Sequence, residues 1–289
     1  MPQTIRPLSP FGAEVTGLTL TDISTDVAQT LRYTLAAQGV VVLRNRQVSD
    51  DDFVAFLRRL GPLTFTTGEM PVAHQPQLNL VTNVGRDRPP RSVFHTDTSY
   101  VAEPPAYTAL RAVTLPRQGG ETLFSNQYHA FDALPDAVKT ALSDAKVHHV
   151  VTGLTLTDHH ETQCWHPLFR RHPISGRVAL YLSTPERCQA LSGLDSAEGQ
   201  RAIRLLYRHS IRPSRLYRHR WQPGDIVVWD NRCTLHRADH SNVVGDRVLH
   251  RGLVSGEAPL GLSAAVTHET ACGNDLDLMP EKPAQKSQH

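Results

Sequence analysis

Hydrophobic and polar positions divide the chain into two regimes. From Ser24 to Gln38, Val27, Leu31 and Leu35 recur every four positions, which predicts a helix, and Gly39 stops it. Val40-Val41-Val42-Leu43 follows as an unbroken apolar run, the pattern of a buried strand. Ser49 with Asp50, Asp51 and Asp52 reads as an N-cap and acidic first turn, and Phe53, Phe56, Leu57 and Leu60 carry the helical period to Gly61-Pro62. Val15, Leu18 and Leu20 mark a short strand ahead of both helices.

Further on, short β-type runs separated by turn residues take over, at 78–84, 91–99, 108–113, 122–125, 147–151, 178–182, 225–229 and 247–254. Only two helices, near 134–144 and 197–209, interrupt them. Many strands from distant sequence predict a mostly β protein with flanking helices, closed or sandwiched, and exclude a doubly wound parallel sheet. No boundary falls inside 1–257, which is expected to be one domain, and 258–289 reads as a polar tail, partly mobile. Residues 15–22 recur identically at 151–158, but the flanks differ and there is no third copy, so the match is a coincidence of strand-like composition.

Composition narrows the class. With 30 Lys+Arg against 28 Asp+Glu, the net charge of +2 argues against a general polyanion binder, and no apolar run approaches the ~20 residues of a bilayer span. The N-terminus has no apolar signal region, and four scattered cysteines (Cys164, Cys188, Cys233, Cys272) form no C-x-x-C pair. The expectation is a cytoplasmic protein acting on a small molecule, with no nucleic-acid or membrane partner. Arg201, Arg204 and Arg208 lie on one helix face and read as a solvated surface or a subunit contact, and a homo-oligomer, dimer or tetramer, is the expected assembly.

Candidate chemistry centres on Phe94-His95-Thr96-Asp97. On a strand, His95 and Asp97 would share a face, offering an imidazole and a carboxylate to a divalent metal such as Fe(II), Mn or Zn. His236, after the strand and turn at 224–231, could complete two histidines and one carboxylate, leaving coordination positions for a bidentate co-substrate and O2. The spacing alone also allows a hydrogen-bonded loop histidine. Arg247 and Arg251 share a strand face, and buried guanidiniums are costly unless they bind anions. If that face points outward, both are merely solvated.

Taken together these segments resemble the Fe(II)/2-oxoglutarate-dependent dioxygenases of the taurine/2,4-dichlorophenoxyacetate dioxygenase family. The resemblance spans roughly residues 8–255 and includes Gly39–Arg44, Phe94–Asp97, Gly119–Asn126, His166-Pro167-Leu168, His172–Arg177 and Trp229–Arg232. The intervals of 11 and 15 residues from His236 to Arg247 and Arg251, and of 27 from His95 to Thr122, match the family layout.

The resemblance implies a double-stranded β-helix (jelly roll, cupin-like) and an oxygenase using Fe(II), 2-oxoglutarate and O2. By the same resemblance His95, Asp97 and His236 ligate iron, Arg247 and Thr122 hold the distal carboxylate of 2-oxoglutarate, and Arg251 faces an anionic prime substrate. Related halogenases lack the carboxylate ligand, so Asp97 implies hydroxylation, with succinate and CO2 as co-products; desaturation or cyclisation uses the same residues. A non-catalytic metal-binding relative is the rival of another class, and an unrelated zinc hydrolase a more distant one. Thr66 stands where the taurine enzymes have a sulfonate-contacting histidine, which argues against taurine but leaves other carboxylates, sulfonates or sulfate esters open. The stretch 153–165, with His159 and His160, matches no family motif and reads as a surface loop or a lid. His148, His149, His268 and Cys272 read as bystanders.

Overall fold

The computed structural model describes residues 3–44, 47–86, 92–154, 156 and 160–264. Its larger sheet runs in the order Thr4–Pro7, Ala13–Thr16, Val40–Leu43, Ile226–Asp230, Tyr107–Thr114, Val248–Val254, Gln75–Thr82 and Pro71–Val72, with Leu63–Thr64 also paired to Val248–Val254. All pairings are antiparallel except Ala13–Thr16 on Val40–Leu43. Facing it is a smaller sheet of Leu216–His219, Thr122–Asn126 and Thr234–Ala238. The architecture is a jelly roll, a double-stranded β-helix.

Period-two alternation explains how the sheets close. Val40, Val42, Val227, Trp229, Leu110 and Leu249 point inward and pack with Phe124 and Tyr217 of the smaller sheet. Their neighbours Val41, Leu43, Ile226 and Val228 point outward, against Leu31, Leu35, Phe53 and Leu57 of the two N-terminal helices. Strands covered on both faces must be apolar throughout, which is why Val40–Leu43 shows no alternation. The helices themselves, Thr25–Gln38 and Asp50–Leu60, form as their capping residues dictate. Ser24 accepts from the Val27 amide, Ser49 and Asp52 make a reciprocal capping box, and Gly39 takes a left-handed conformation at φ 74°. A third layer packs Lys146–Val150, Gln163–Pro167 and Cys188–Leu191 with the helix Ser196–Ser210, on which Arg201, Arg204 and Arg208 are exposed.

The helix Asp50–Leu60 rides directly on the strand Val248–Val254, which carries Arg251 and is preceded directly by Arg247. A Cβ at Gly252 would lie 2.1 Å from Leu57 Cδ1 and 3.2 Å from Leu78 Cδ2. Gly252→Ala is therefore expected to force this interface apart and cost about 1–3 kcal/mol of stability, read as a lowered denaturation midpoint. An unchanged midpoint would mean the helix repositions freely.

Two sequence expectations need correction, and one open alternative is resolved. Residues 92–99 form no strand: His95 makes an isolated bridge, residues 97–100 turn, and Thr98 sits at φ 45°, a left-handed conformation that ends an extended run. Arg91 lies outside the described residues. The expected helix 134–144 is instead two short ones, Gln127–Asp132 and Asp136–Ala141. Asn126 caps the first by accepting from the His129 amide, and Pro135, which has no N–H and restricts Leu134, separates them. His236 sits on a strand, Thr234–Ala238, and not on a loop.

At the far end of the chain, Leu260 bridges Arg171 and the Leu262 carbonyl accepts from Arg171 Nη2 at 2.8 Å. His159, His268 and Cys272 lie outside the described residues.

Candidate active site

Two backbone hydrogen bonds bring the histidines together. His95 N donates to His236 O at 3.0 Å and His236 N to His95 O at 2.9 Å. Residues exchanging such bonds face the same side of an antiparallel pair, and the two rings lie with centroids 4.3 Å apart. The turn after His95 then swings Asp97 back, so that its Oδ1 is 3.5 Å from His95 Nε2 and 3.8 Å from His236 Nε2. One ligand atom from each residue lies within 4.8 Å of the others.

The outer edges of His95 and Asp97 are occupied, which directs their inner edges to the cluster, whereas His236 Nδ1 is buried with no partner among the described residues. His95 Nδ1 donates to the Val93 carbonyl at 2.9 Å, so its Nε2 carries the free lone pair. Asp97 Oδ2 accepts from Thr108 Oγ1 at 2.7 Å, leaving Oδ1 for the cluster. Behind it runs a buried relay: Trp229 Nε1 donates to Asn231 Oδ1 at 3.0 Å, and Asn231 Nδ2 to Thr108 Oγ1 at 2.8 Å. Burial pushes His236 down to about 3, against the opposing pull of Asp97, so its imidazole is neutral. Burial would raise the Asp97 carboxyl, but His236, His95 and Arg251 together hold it well below the usual range. Two imidazoles and one carboxylate are the donor set a divalent first-row metal takes.

A second converging trio, His172, Asp230 and Cys233, is built differently. Both Asp230 oxygens are taken, by Arg232 Nε at 2.8 Å, Arg232 Nη2 at 2.6 Å and His172 Nε2 at 2.9 Å. The fixed guanidinium satisfies the carboxylate and makes this a lock between the Trp229-Asp230-Asn231-Arg232 turn and the His172–Arg177 loop.

Arg247 is nearly fully buried, at 2% exposure. Its Nε donates to the Gly120 carbonyl at 3.0 Å and its Nη2 to Thr122 Oγ1 at 3.4 Å, and among the described residues no carboxylate pairs with it. Burial alone lowers its pKa to about 10. Thr122 Oγ1 also accepts from Trp221 Nε1 at 3.1 Å, which leaves the hydroxyl proton to donate elsewhere. A buried cation with a hydroxyl donor beside it fits one end of a dicarboxylate. Gly120 permits the arrangement: at φ 79°, a Cβ there would press to 3.0 Å on Arg247 Cδ.

A cavity of about 320 Å³ opens beside the cluster, lined by Thr66, Thr98, Tyr100, Glu103, His160 and Leu253 among others. Thr66 Oγ1 lies 3.2 Å from Thr98 Oγ1, at the wall of this cavity. Arg251 lies 3.8 Å from Asp97 Oδ1 and is ion-paired with Glu69.

The matching family model, described as taurine catabolism dioxygenase TauD, TfdA family, covers residues 4–253. The chain belongs to this family. It is 32% identical to the alpha-ketoglutarate-dependent 2,4-dichlorophenoxyacetate dioxygenase of Cupriavidus pinatubonensis, over 88% of this chain and 98% of that one. It is 28% identical to the alpha-ketoglutarate-dependent sulfate ester dioxygenase of Pseudomonas putida, covering 91% and 92%. Among solved structures, AAD-2 in complex with Mn(II) and N-oxalylglycine superposes with a TM-score of 0.79 at 27% identity, covering 90% of this chain and 99% of that one. The TauD/TfdA protein described here is thus a 2-oxoglutarate-dependent dioxygenase, an oxidoreductase whose cofactors are Fe(II), 2-oxoglutarate and O2.

Of the seven candidate residues, His95, Asp97 and His236 converge, Thr122 and Arg247 touch, Arg251 reaches Asp97, and Thr66 meets Thr98. Sequence reasoning missed Glu69, Asn79, Thr108 and Trp221. Asn79 alone carried a signal, as a polar residue inside the run Leu78-Asn79-Leu80-Val81. His149, read as a bystander, is fully buried beneath the Asp97 turn, its Nδ1 2.9 Å from Ser99 Oγ.

Proposed function

We propose that this dioxygenase hydroxylates an unactivated C–H bond of a small organic acid, a carboxylate, sulfonate or sulfate ester. One molecule of substrate, 2-oxoglutarate and O2 would give the alcohol, succinate and CO2. The observation that carries the reading is the inward convergence of His95 Nε2, His236 Nε2 and Asp97 Oδ1 with every outer edge of His95 and Asp97 already hydrogen-bonded. His95, Asp97 and His236 would hold Fe(II), which when bound supplies the oxygen chemistry. Arg247 and Thr122 would fix the distal carboxylate of 2-oxoglutarate, so that the co-substrate lies between a rigid cation and the metal ligands. Arg251 would orient the acidic head of the prime substrate, with Thr66 on the wall of the cavity that receives its body. The relatives whose names specify phenoxyacetate and sulfate ester substrates support an acidic head group.

The test begins with anaerobic absorbance on adding Fe(II) and 2-oxoglutarate, followed by succinate release in air across a panel of organic acids. A visible iron-to-oxoglutarate charge-transfer band and panel-dependent succinate are expected. Bound iron without a band would overturn the reading. Product mass separates the outcomes: a gain of one oxygen means hydroxylation, a loss of two hydrogens desaturation or ring closure.

A further inference from the structure

The guanidinium assigned above to the substrate's acid is already engaged by a carboxylate of the protein. Arg251 Nη2 donates to Glu69 Oε2 in a charge-assisted hydrogen bond. The two partners differ in freedom. The Arg251 side chain is 11% exposed and lies on the strand Val248–Val254, paired on both sides within the larger sheet, whereas Glu69 is 31% exposed. Glu69 also sits between Gly68, at φ 87°, and Met70, in a segment with exposed side chains on either side of it. The arginine is fixed, and the carboxylate can swing outward.

Asn79 adds an independent observation. It stands directly across from Arg251 on the neighbouring strand, so the two side chains share the interior face. Asn79 is fully buried, and neither its Oδ1 nor its Nδ2 has a hydrogen-bond partner among the described residues; Arg251 Nε is likewise buried and unpartnered. A buried carboxamide left unsatisfied forfeits its hydration with no return, which marks a place where another polar group is expected. Arg251 Nε and, across the strand pair from it, Asn79 Nδ2 are thus two buried donors with no acceptor among the described residues.

We propose that Glu69 is a specificity-determining residue: it is an internal stand-in for the acidic head of the prime substrate, displaced when that head binds Arg251 and Asn79. This rests on the reading of Arg251 given under Proposed function. Asp97, Glu69 and an incoming anion cannot all share one guanidinium, and like charges at that separation repel, so the mobile carboxylate is the one that leaves. Because Glu69 is tethered, it competes at high effective concentration with every acid equally. Bare anions, including a second 2-oxoglutarate, are thereby kept off Arg251, and only a substrate whose body gains additional binding in the adjacent cavity wins.

The test is calorimetry on protein loaded with Mn(II) and 2-oxoglutarate, which does not turn over. Phenoxyacetate, an alkanesulfonate and an alkyl sulfate ester are titrated into wild type, Glu69→Gln and Glu69→Ala. At least one of these anions is expected to bind both variants about tenfold tighter than wild type, since the competing charge is gone. The gain should vanish when Arg251→Ala is combined with either change, and shrink with Asn79→Leu. Anion binding unchanged or weakened in both Glu69 variants, with melting temperatures preserved, would overturn the proposal; weakening would mean that Glu69 attracts a positive group on the substrate. Failure of the parent reading is separately visible, as absence of the iron-to-oxoglutarate band in wild type.

Discussion

Arg247→Ala is expected to raise the apparent KM for 2-oxoglutarate by about 30-fold to more than 1000-fold, the span that corresponds to the roughly 2–5 kcal/mol lost when one partner of a buried charge pair is truncated. The KM for the prime substrate should barely move. Arg247→Lys should recover only part of the loss, because a single ammonium cannot donate to Gly120, Thr122 and a carboxylate in the fork geometry of a guanidinium. The same residue should betray its role in stability. A buried cation without a carboxylate partner is a cost to the ligand-free fold, and the lowered pKa expresses it. For a base, a folded pKa depressed to about 10 means that the penalty is fully present at neutral pH and relieved only above pH 10. Arg247→Met is therefore expected to raise the melting temperature of the ligand-free protein while 2-oxoglutarate affinity collapses. If instead only the prime-substrate KM rises in Arg247→Ala, the roles of Arg247 and Arg251 are exchanged, and Arg251→Ala should then show the co-substrate defect.

Asp97→Ala should reduce turnover by at least about 1000-fold with the fold intact, because it removes the one anionic member of the trio. Equilibrium dialysis of Fe(II) and succinate release, with circular dichroism as the check on folding, would measure it. A milder change tests the support behind the carboxylate. Thr108→Val deletes the hydroxyl that holds Asp97 Oδ2 and ends the relay from Trp229 through Asn231. It should weaken metal binding about 10- to 100-fold, the usual cost of losing a partner that orients a ligand. Full activity in Asp97→Ala would remove Asp97 from the metal site altogether.

How much of this was legible before folding differs from residue to residue. Ser24, Gly39 and Ser49 specify their helix ends through contacts within a few positions, so the sequence pattern alone located both helices. Val40–Leu43 declared itself as a strand with two covered faces for the same local reason. The order of His95, Asp97, Thr122, His236, Arg247 and Arg251 along the chain was enough to point to the family, since spacing along the sequence is what a motif records. Other features depend on what the fold brings together. Whether His236 stands beside His95 or on a loop turned on two backbone bonds to His95, more than a hundred residues away in sequence. The turn that begins at Asp97, with Thr98 left-handed, is invisible in a composition that reads as a strand. Thr108 and Asn231 meet behind the carboxylate only because their strands pair. Glu69, on a segment with no motif, matters because the loop after the second helix lays it against Arg251. Local propensity and motif order thus determined the class of chemistry and the elements that carry it. Which charge faces which, and therefore what each arginine is free to bind, was decided by long-range pairing that no single segment encodes.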